Sequence, residues 1–288
     1  MKLASYRGES GITYGVVKEA SGKIIPVEGA MAKRYPSIRA LIAAEAVAEL
    51  DVWANEREPS LALGELDYVP PLWDAEKVIC IGVNYPKRHP VDGDIPPPKH
   101  ISVFNKFEGS MVGHNKPLIQ PSAPMCHTMD YEGELVLIIG QGGRFIPTEN
   151  AFDHIAGYTI MNDGSVREWQ RHSVAAGKNF FSISSCGPWM VTADEVSNPL
   201  AMQLTTRLNG EKVQSTTADE MIFDIPTLIN YLSSFLNLVP GDIISTGSPE
   251  GSGGSRQPQR FLVPGDKLEI EWSSVGVLKN YVVAAPPV

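Results

Sequence analysis

The chain has 288 residues, of which 43% are hydrophobic and 20% are charged, and its formal net charge at pH 7 is −9. This length is enough to bury a large core and favours one large domain with a smaller appendage. Because the chain is acidic and has no cluster of Lys and Arg, nucleic acid is not an expected partner. No apolar run reaches the length of about 18 residues that spans a membrane, and the first residues lack the apolar core of a secretion signal. We therefore expect a cytoplasmic protein that has no membrane partner.

The cysteines are few and far apart in the sequence: Cys80, Cys126 and Cys186. None belongs to a C-x-x-C pair, so the pattern indicates neither a disulfide framework nor a zinc cluster. Cys80 lies inside the apolar run VICIGV, where a buried structural thiol is expected rather than a nucleophile. Reduced thiols are the prediction.

The first part of the chain, residues 1–72, is predicted to be a small α+β domain. Three short strands, KLASYR, ITYGVVK and KIIPVEG, precede the stretch SIRALIAAEAVAELDVWANE, in which apolar residues recur every three to four positions. The segment DYVPPLWD is rich in turn-forming residues and indicates a boundary. Residues 73–288 then form the second predicted domain.

Strands dominate the second domain. Apolar or alternating runs are separated by Gly, Pro and Asp: VICIGVNY, ISVFNK, GELVLIIG, HIAGYTIMN, GPWMVT, MQLTTRLNG, DIISTG, KLEIEW and VLKNYVV. Two helices are predicted, REWQRHS and IPTLINYLSSFLNL, the second capped by Asp224. The predicted class is therefore α+β and mostly β. The segments HPVDGDIPPPKH and GSPEGSGGSRQPQR are predicted to be a lid loop and a mobile loop.

A group of carboxylates carries the candidate chemistry. Glu132 and Glu134 precede the apolar strand LVLIIG, and if the strand includes Glu132, both project from the same side, about 7 Å apart. At the edge of a hydrophobic sheet such carboxylates are costly unless a cation or hydrogen bonds compensate them. Asp163 ends another apolar run, IAGYTIMND, and could complete the group from a neighbouring strand. Three hard oxygen ligands favour Mg²⁺ or Mn²⁺, or else Ca²⁺. The other interpretation is a charged strand edge that binds no metal.

These motifs resemble the signature of the fumarylacetoacetate hydrolase family, in particular its branch of 2-hydroxyhepta-2,4-diene-1,7-dioate isomerases and acylpyruvases. The family pattern D-Y/W-E-x-E-L is matched by DYEGEL, and N-D-x-S-x-R-x-x-Q is matched by NDGSVREWQ. The similarity spans about residues 77–283 and includes IGVNY, GKNFF, GPW, RLNG, DEMIF and TGSPEG. It implies a mixed β-sheet roll with a smaller N-terminal domain, assembled as a homodimer. It also implies that Glu132, Glu134 and Asp163 are the metal ligands.

The resemblance implies further roles where residues match. Lys178 corresponds to the active-site lysine, and Gln170 to the glutamine that holds the oxo or carboxylate group of the substrate. Thr246 and Tyr85 lie in matched motifs and are predicted to bind substrate. A lysine and an amide beside a cation would stabilise negative charge that develops on oxygen. Arg167 could either bind a substrate carboxylate or pair with a nearby acid, and the sequence leaves both open.

The predicted lid departs from the family pattern. The family's water-activating pair lies in N-Y-x-x-H-x-x-E, whereas this chain reads NYPKRHPVD. His89 is one residue later than expected, and Asp92 takes the role of the glutamate three residues after it. A His–Asp pair can still act as an oriented base. If the pair is displaced, hydrolysis weakens as a prediction, and reactions that need no attacking water gain.

The sequence therefore predicts a metal-dependent hydrolase that cleaves a carbon–carbon bond in a 2,4-dioxo acid, such as an acylpyruvate or fumarylpyruvate. One alternative is an isomerase or decarboxylase of 2-hydroxy-dienoate or 2-oxo-dioate intermediates of aromatic catabolism. Another is a catalytically idle protein that binds a metal and a keto acid. A serine hydrolase is not expected, since no G-x-S-x-G elbow occurs between a strand and a helix.

Overall fold

The computed structural model describes residues 1–86, 88–89, 93–94 and 98–286, with the side chains of 88–89, 93–94 and 126 excepted. The strands are β1 (Lys2–Gly8), β2 (Gly11–Lys18), β3 (Lys23–Pro26), β4 (Leu61–Ala62), β5 (Asp67–Tyr68), β6 (Val78–Ile81), β7 (Arg88–His89), β8 (Gly93–Asp94), β9 (Val103–Asn105), β10 (Met111–Val112), β11 (Pro117–Gln120), β12 (Met129–Asp130), β13 (Gly133–Ile139), β14 (Ile155–Asn162), β15 (Ser165–Val166), β16 (Ser184–Thr192), β17 (Gln203–Leu208), β18 (Glu211–Thr217), β19 (Ile243–Ser245), β20 (Lys267–Trp272) and β21 (Gly276–Ala284). The α-helices are α1 (Gly29–Arg34), α2 (Ile38–Ala43), α3 (Val47–Asn55), α4 (Arg167–Gln170), α5 (Val174–Lys178) and α6 (Ile225–Phe235).

Most strands of the described residues belong to two mixed sheets. The large sheet has twelve strands in the order β4-β3-β2-β1-β16-β14-β13-β19-β6-β9, with β5 beside β1 and β10 beside β16. The smaller sheet has five strands in the order β11-β21-β20-β17-β18. Parallel pairs, such as β19 with β6, stand beside antiparallel ones. The predicted class, α+β and mostly β with a mixed β-sheet roll, is confirmed.

The N-terminal strands are part of the large sheet. Strand β1 pairs antiparallel with β16, and Leu3 lies opposite Met190 in this ladder. The hydrogen bonds of one sheet therefore run across the predicted boundary between residues 72 and 73. The division into two domains stays a prediction.

Strand β13 lies in the middle of the large sheet and is buried on both faces. Leu135, Leu137 and Ile139 belong to one core, which also contains residues of the five-stranded sheet and of α6. Val136 and Ile138 belong to a second core, which contains residues of α1, α2 and α3. A strand with two apolar faces reads as a continuous hydrophobic run, as LVLIIG does. The position of β13 is therefore fixed by packing from both sides.

The long helix predicted over residues 37–56 is two shorter helices, α2 and α3. The chain turns between them at Glu45, whose φ is 52°. The break lets Leu41 and Leu50 enter the same core. Periodicity alone does not reveal such a break, since the apolar spacing continues through it. Among the described residues, no helix is long and apolar enough to cross a membrane.

The two sheets approach each other closely at Gly133, the first residue of β13. A Cβ atom on Gly133 would lie 2.4 Å from Thr206 Oγ1 and 3.0 Å from Ile270 Cγ2, which belong to the five-stranded sheet. Both neighbours are fully buried. The glycine between the two glutamates is therefore required by packing, because the sheet behind it leaves no space for a side chain.

We predict that Gly133→Ala lowers the free energy of unfolding by about 1–3 kcal/mol, because the extra methyl group forces buried atoms apart. Gly64→Ala is the matched control, since nothing lies within 4 Å of its Cβ position. The control should change stability by less than about 0.5 kcal/mol. Urea unfolding monitored by circular dichroism measures both, and equal effects would contradict this account of the sheet contact.

Candidate active site

The three predicted metal ligands come together where β13 begins and β14 ends. These strands are antiparallel neighbours, and Gly133 lies opposite Asn162. The ladder continues one step further, because the Asp163 N–H donates to the Glu132 carbonyl at 2.8 Å. One carboxylate oxygen from each of Glu132, Glu134 and Asp163 lies within 4.8 Å of the others. The predicted juxtaposition of two glutamates and one aspartate on neighbouring strand ends is present.

Side chains hold the backbone of this segment. Asn162 Oδ1 accepts the N–H of Glu132 at 3.1 Å, and Gln214 Oε1 accepts the N–H of Gly133 at 2.9 Å. Buried N–H groups without partners would be costly. These two amides therefore fix the direction in which the Glu132 side chain leaves the strand.

Glu134 is buried without an ion-pair partner among the described residues. Its Oε2 accepts hydrogen bonds from Ser245 Oγ at 2.6 Å and from the Gly247 N–H at 2.9 Å. Burial, and then the carboxylates of Asp163 and Glu132, raise the pKa of Glu134 well above its ordinary value. A carboxylate in this position is poorly stabilised as an anion, and a bound cation would relieve it.

Lys178, the last residue of α5, reaches into the carboxylate group. Its Nζ contacts Glu132 Oε2, donates to Asp163 Oδ2 at 2.6 Å and also reaches the Asp163 carbonyl at 3.1 Å. Burial lowers the pKa of Lys178, but the carboxylates of Asp163 and Glu132 outweigh it, and the net shift is upward. The lysine is therefore a cation that bridges two of the predicted ligands.

Arg167 pairs with two acids, which is one of the two roles predicted for it. Its Nη2 donates to Glu132 Oε1 at 2.8 Å, and its Nε donates to Asp130 Oδ2 at 2.7 Å. Asp130 is fully buried, so this pair is shielded from solvent on the carboxylate side. Arg167 also borders the cavity described below and stands beside any molecule bound there.

The charges of the site do not cancel. The buried carboxylates of this site among the described residues are Asp130, Glu132, Glu134 and Asp163, and the cations that pair with three of them are Lys106, Arg167 and Lys178. With all four carboxylates ionised, the negative charges outnumber the positive ones by one, and the unpaired charge is that of Glu134, whose pKa is raised. A set of three hard oxygen donors with surplus negative charge fits a divalent cation such as Mg²⁺ or Mn²⁺.

A cavity of about 350 Å³ opens beside the carboxylates. Its polar lining residues include the predicted ligands together with Arg167, Gln170 and Lys178. Its apolar lining residues include Ile81, Val83 and Phe104. A small cavity lined by both charged and apolar side chains suits a short organic acid.

The remaining predicted site residues differ in where they lie. Gln170 borders the cavity, and its Oε1 accepts from Arg167 at 3.3 Å. Thr246 is fully buried and donates its hydroxyl to the Leu135 carbonyl at 2.9 Å, and Tyr85 is also buried. Neither is among the residues that border this cavity, so their roles in substrate binding stay predictions.

The predicted lid pair lies outside the part of the chain that the structure describes. This holds for the side chain of His89 and for the whole of Asp92. Their part in activating water therefore stays a prediction.

Two charged residues that touch the site, Lys106 and Asp130, were assigned no role from the sequence. Lys106 Nζ lies 2.5 Å from Asp163 Oδ1. The sequence gives only weak signals for a role of these two residues. Lys106 is a charged residue that closely follows the apolar run ISVF, and Asp130 is the first residue of DYEGEL. Ser248, in the TGSPEG motif, borders the cavity as well.

The glycine-rich loop predicted to be mobile is tied to the site. The N–H groups of Gly253 and Gly254 donate to Asp130 at 2.6 and 2.9 Å. The carbonyl of Gly251 accepts from the Tyr131 hydroxyl at 2.9 Å. A buried carboxylate that accepts backbone N–H groups orders the segment that supplies them.

The chain matches the family model described as fumarylacetoacetate (FAA) hydrolase, C-terminal, over residues 77–283. A curated relative, the mitochondrial oxaloacetate tautomerase FAHD2A of Bos taurus, is 37% identical over 229 residues, which are 78% of this chain and 72% of the relative. The oxaloacetate tautomerase YisK of Bacillus subtilis (strain 168) is 37% identical over 246 residues, which are 81% of this chain and 80% of the relative.

Solved structures resemble the whole chain. The maleylpyruvate hydrolase of Sphingobium sp. SYK-6, in complex with manganese(II) and pyruvate, has a TM-score of 0.81 and 26% identity, covering 99% of this chain and 100% of that one. The 2-hydroxyhepta-2,4-diene-1,7-dioate isomerase of Mycobacterium marinum has a TM-score of 0.75 and 26% identity, covering both chains completely.

We predict that Asp130→Asn lowers the free energy of unfolding by about 2–4 kcal/mol, because the partly buried Arg167 loses a charged partner and an amide NH₂ meets backbone N–H donors. Hydrogen–deuterium exchange of residues 247–256 should become faster. The control is Glu211→Gln, which removes an exposed ion pair with Arg256 in the same loop. If the control accelerates exchange as much as Asp130→Asn, the buried carboxylate does not order the loop.

Proposed function

The chain belongs to the fumarylacetoacetate hydrolase family, and we propose that it is a divalent-metal-dependent enzyme that interconverts the keto and enol forms of a small 2-oxo acid such as oxaloacetate. The observation that carries the proposal is the convergence of Glu132, Glu134 and Asp163 within 4.8 Å at the wall of a cavity. Family membership rests on residues 77–283 and on relatives that are 37% identical over more than three quarters of the chain.

In this proposal the three carboxylates hold Mg²⁺ or Mn²⁺, and Ca²⁺ is the remaining choice from the sequence. When bound, the cation acts as a Lewis acid that draws electron density from the carboxylate and the 2-oxo group of the substrate. Support comes from the surplus negative charge of the site. The similar maleylpyruvate hydrolase was solved in complex with manganese(II), which is also consistent with such a cation.

The residues of the chain bind the substrate and compensate its charge. Lys178 and Arg167 place positive charge beside the site, where negative charge grows on the 2-oxygen as the enol forms. Gln170 borders the cavity and can orient a carboxylate or an oxo group through its amide N–H. Ile81, Val83 and Phe104 supply apolar surface to the same cavity.

The charge balance suits an anionic substrate. With Glu134 ionised, the site carries one surplus negative charge among its described residues, and a divalent cation would change this to one surplus positive charge. A keto acid anion is then attracted, and the enolate-like state between its keto and enol forms gains most, because that state places further negative charge on oxygen. The oxaloacetate tautomerases among the relatives support keto–enol exchange as the reaction.

The second candidate is the hydrolysis predicted from the sequence, in which a 2,4-dioxo acid such as an acylpyruvate or fumarylpyruvate is cleaved. Similarity to a maleylpyruvate hydrolase along the whole chain favours it. It requires an activated water, for which His89 and Asp92 are the predicted base and its partner.

Decarboxylation of a 2-oxo-dioate at the same cation remains an alternative outcome of the enol chemistry. An idle binding protein would retain metal binding but show no turnover with oxaloacetate, acylpyruvates or fumarylpyruvate.

Two expectations from the sequence stay predictions. The homodimer follows from the family resemblance and can be checked by light scattering. A cytoplasmic location is the other expectation, whereas the relative from Bos taurus is named mitochondrial.

We predict that Glu134→Gln weakens Mn²⁺ binding by at least about 100-fold and reduces turnover to the background rate, because the amide keeps the shape but removes the ligand charge. Isothermal titration calorimetry and an enol–keto assay with oxaloacetate measure the two effects. Glu168→Gln, a change of an exposed residue on α4, is the control and should alter neither. Full turnover by metal-stripped enzyme would contradict the proposed role of the cation.

The two candidate reactions are separated by His89→Asn. Because only hydrolysis needs an attacking water, the variant should lose acylpyruvate cleavage by about 100-fold or more and keep most of its oxaloacetate tautomerisation. Parallel assays of the two substrates with wild type and variant provide the comparison. Hydrolysis at the wild-type rate would remove His89 from the proposed base pair.

A further inference from the structure

Lys106 is a buried lysine that contacts Asp163, one of the predicted metal ligands. It follows β9, and only 5% of its surface is exposed. Its Nζ donates to the Gly164 carbonyl at 3.1 Å and to the Lys178 carbonyl at 2.5 Å. It also lies 2.5 Å from Asp163 Oδ1, a contact that is an ion pair rather than an aligned hydrogen bond. The ammonium group of Lys106 therefore links the end of β9 to α5 and to the turn of residues 163–164.

The two carboxylate oxygens of Asp163 contact different lysines. Lys106 lies against Oδ1, whereas Lys178 contacts Oδ2 from the other side. Because Lys106 also holds the backbone carbonyl of Lys178, it fixes the position of α5 relative to Asp163. A lysine buried at such a cost in desolvation is retained only where several acceptors compensate it.

We propose that Lys106 is a positioning residue, which orients the Asp163 carboxylate for the cation and sets the place of Lys178 beside it. This inference rests on the proposed function. Lys106 is not among the residues that border the cavity, so it acts through Asp163 and Lys178 rather than on the substrate. Residues that orient a metal ligand typically contribute about 10- to 100-fold to metal affinity.

The direction in which the affinity for Mn²⁺ changes distinguishes a positioning role of Lys106 from a purely electrostatic one. By Coulomb's law alone, removing a positive charge next to a cation site tightens cation binding. Removing a residue that orients a ligand weakens it. The two accounts therefore predict opposite changes for a neutral substitution of Lys106.

The experiment titrates Mn²⁺ into the wild type and into Lys106→Gln, Lys106→Met and the control Lys279→Gln by isothermal titration calorimetry. The Gln side chain retains N–H donors for the carbonyls of Gly164 and Lys178, whereas the Met side chain is an apolar chain of similar length without donors. Lys279 pairs with Glu269 at the surface and tests the removal of a charge far from the site. Circular dichroism and thermal unfolding establish that each variant is folded.

We expect Lys106→Gln and Lys106→Met to weaken Mn²⁺ binding by about 10-fold or more, and to lower kcat at saturating Mn²⁺ with little change in KM, while the control matches the wild type. Unchanged or tighter binding would overturn the inference, and so would the failure of both variants to fold, since Lys106 would then serve the stability of the fold. If the wild type binds no Mn²⁺, the proposed function fails instead, and the two failures are thus distinguished.

Discussion

The structure depends on placing three carboxylates in contact at the end of an apolar sheet. Glu132, Glu134 and Asp163 repel one another, and burial makes each negative charge more costly. The fold compensates in part, through Lys106, Lys178, Arg167 and the donors that hold Glu134. Arg167 is also shared with Asp130, so with Glu134 ionised the carboxylates outnumber the cations by one among the described residues. That remainder is the physical reason to expect a cation at this place.

The scaffold makes this arrangement tolerable because the central strand whose start carries two of the carboxylates is packed on both faces. Strand β13 is packed by a helical layer on one face and by the five-stranded sheet on the other. Gly133 lets the second sheet approach closely, and the same glycine separates the two glutamates by the two-residue period that directs them to one side. The close approach of the two sheets requires glycine at position 133, and the orientation of the two glutamates requires one residue between them. The E-G-E motif meets both requirements.

Much of this site could be predicted from local sequence. The period of two in E-G-E and the end of an apolar run at Asp163 predicted that three carboxylates meet, and they do. Asp224 caps α6 as expected, accepting the N–H of Thr227 at 2.9 Å. Signals of this kind work because they depend on neighbouring residues alone.

The parts that escaped prediction depend on contacts between distant residues. Lys106 and Asp163 are 57 positions apart, and no local pattern indicates that they meet. The glycine-rich loop has the composition of a mobile segment, yet Asp130 orders it from more than 120 positions away. The break at Glu45 likewise follows from tertiary packing, which overrides the helical periodicity.

The central claim is that three carboxylates hold one divalent cation to which a 2-oxo acid can bind. Crystals grown with Mn²⁺ and oxalate, an unreactive mimic of such an acid, test it most directly through the anomalous signal of manganese. The account predicts a single strong peak within about 2.5 Å of an oxygen from each of Glu132, Glu134 and Asp163, with oxalate on its open side. No peak among these residues, with Lys178 still bridging Glu132 and Asp163, would contradict it.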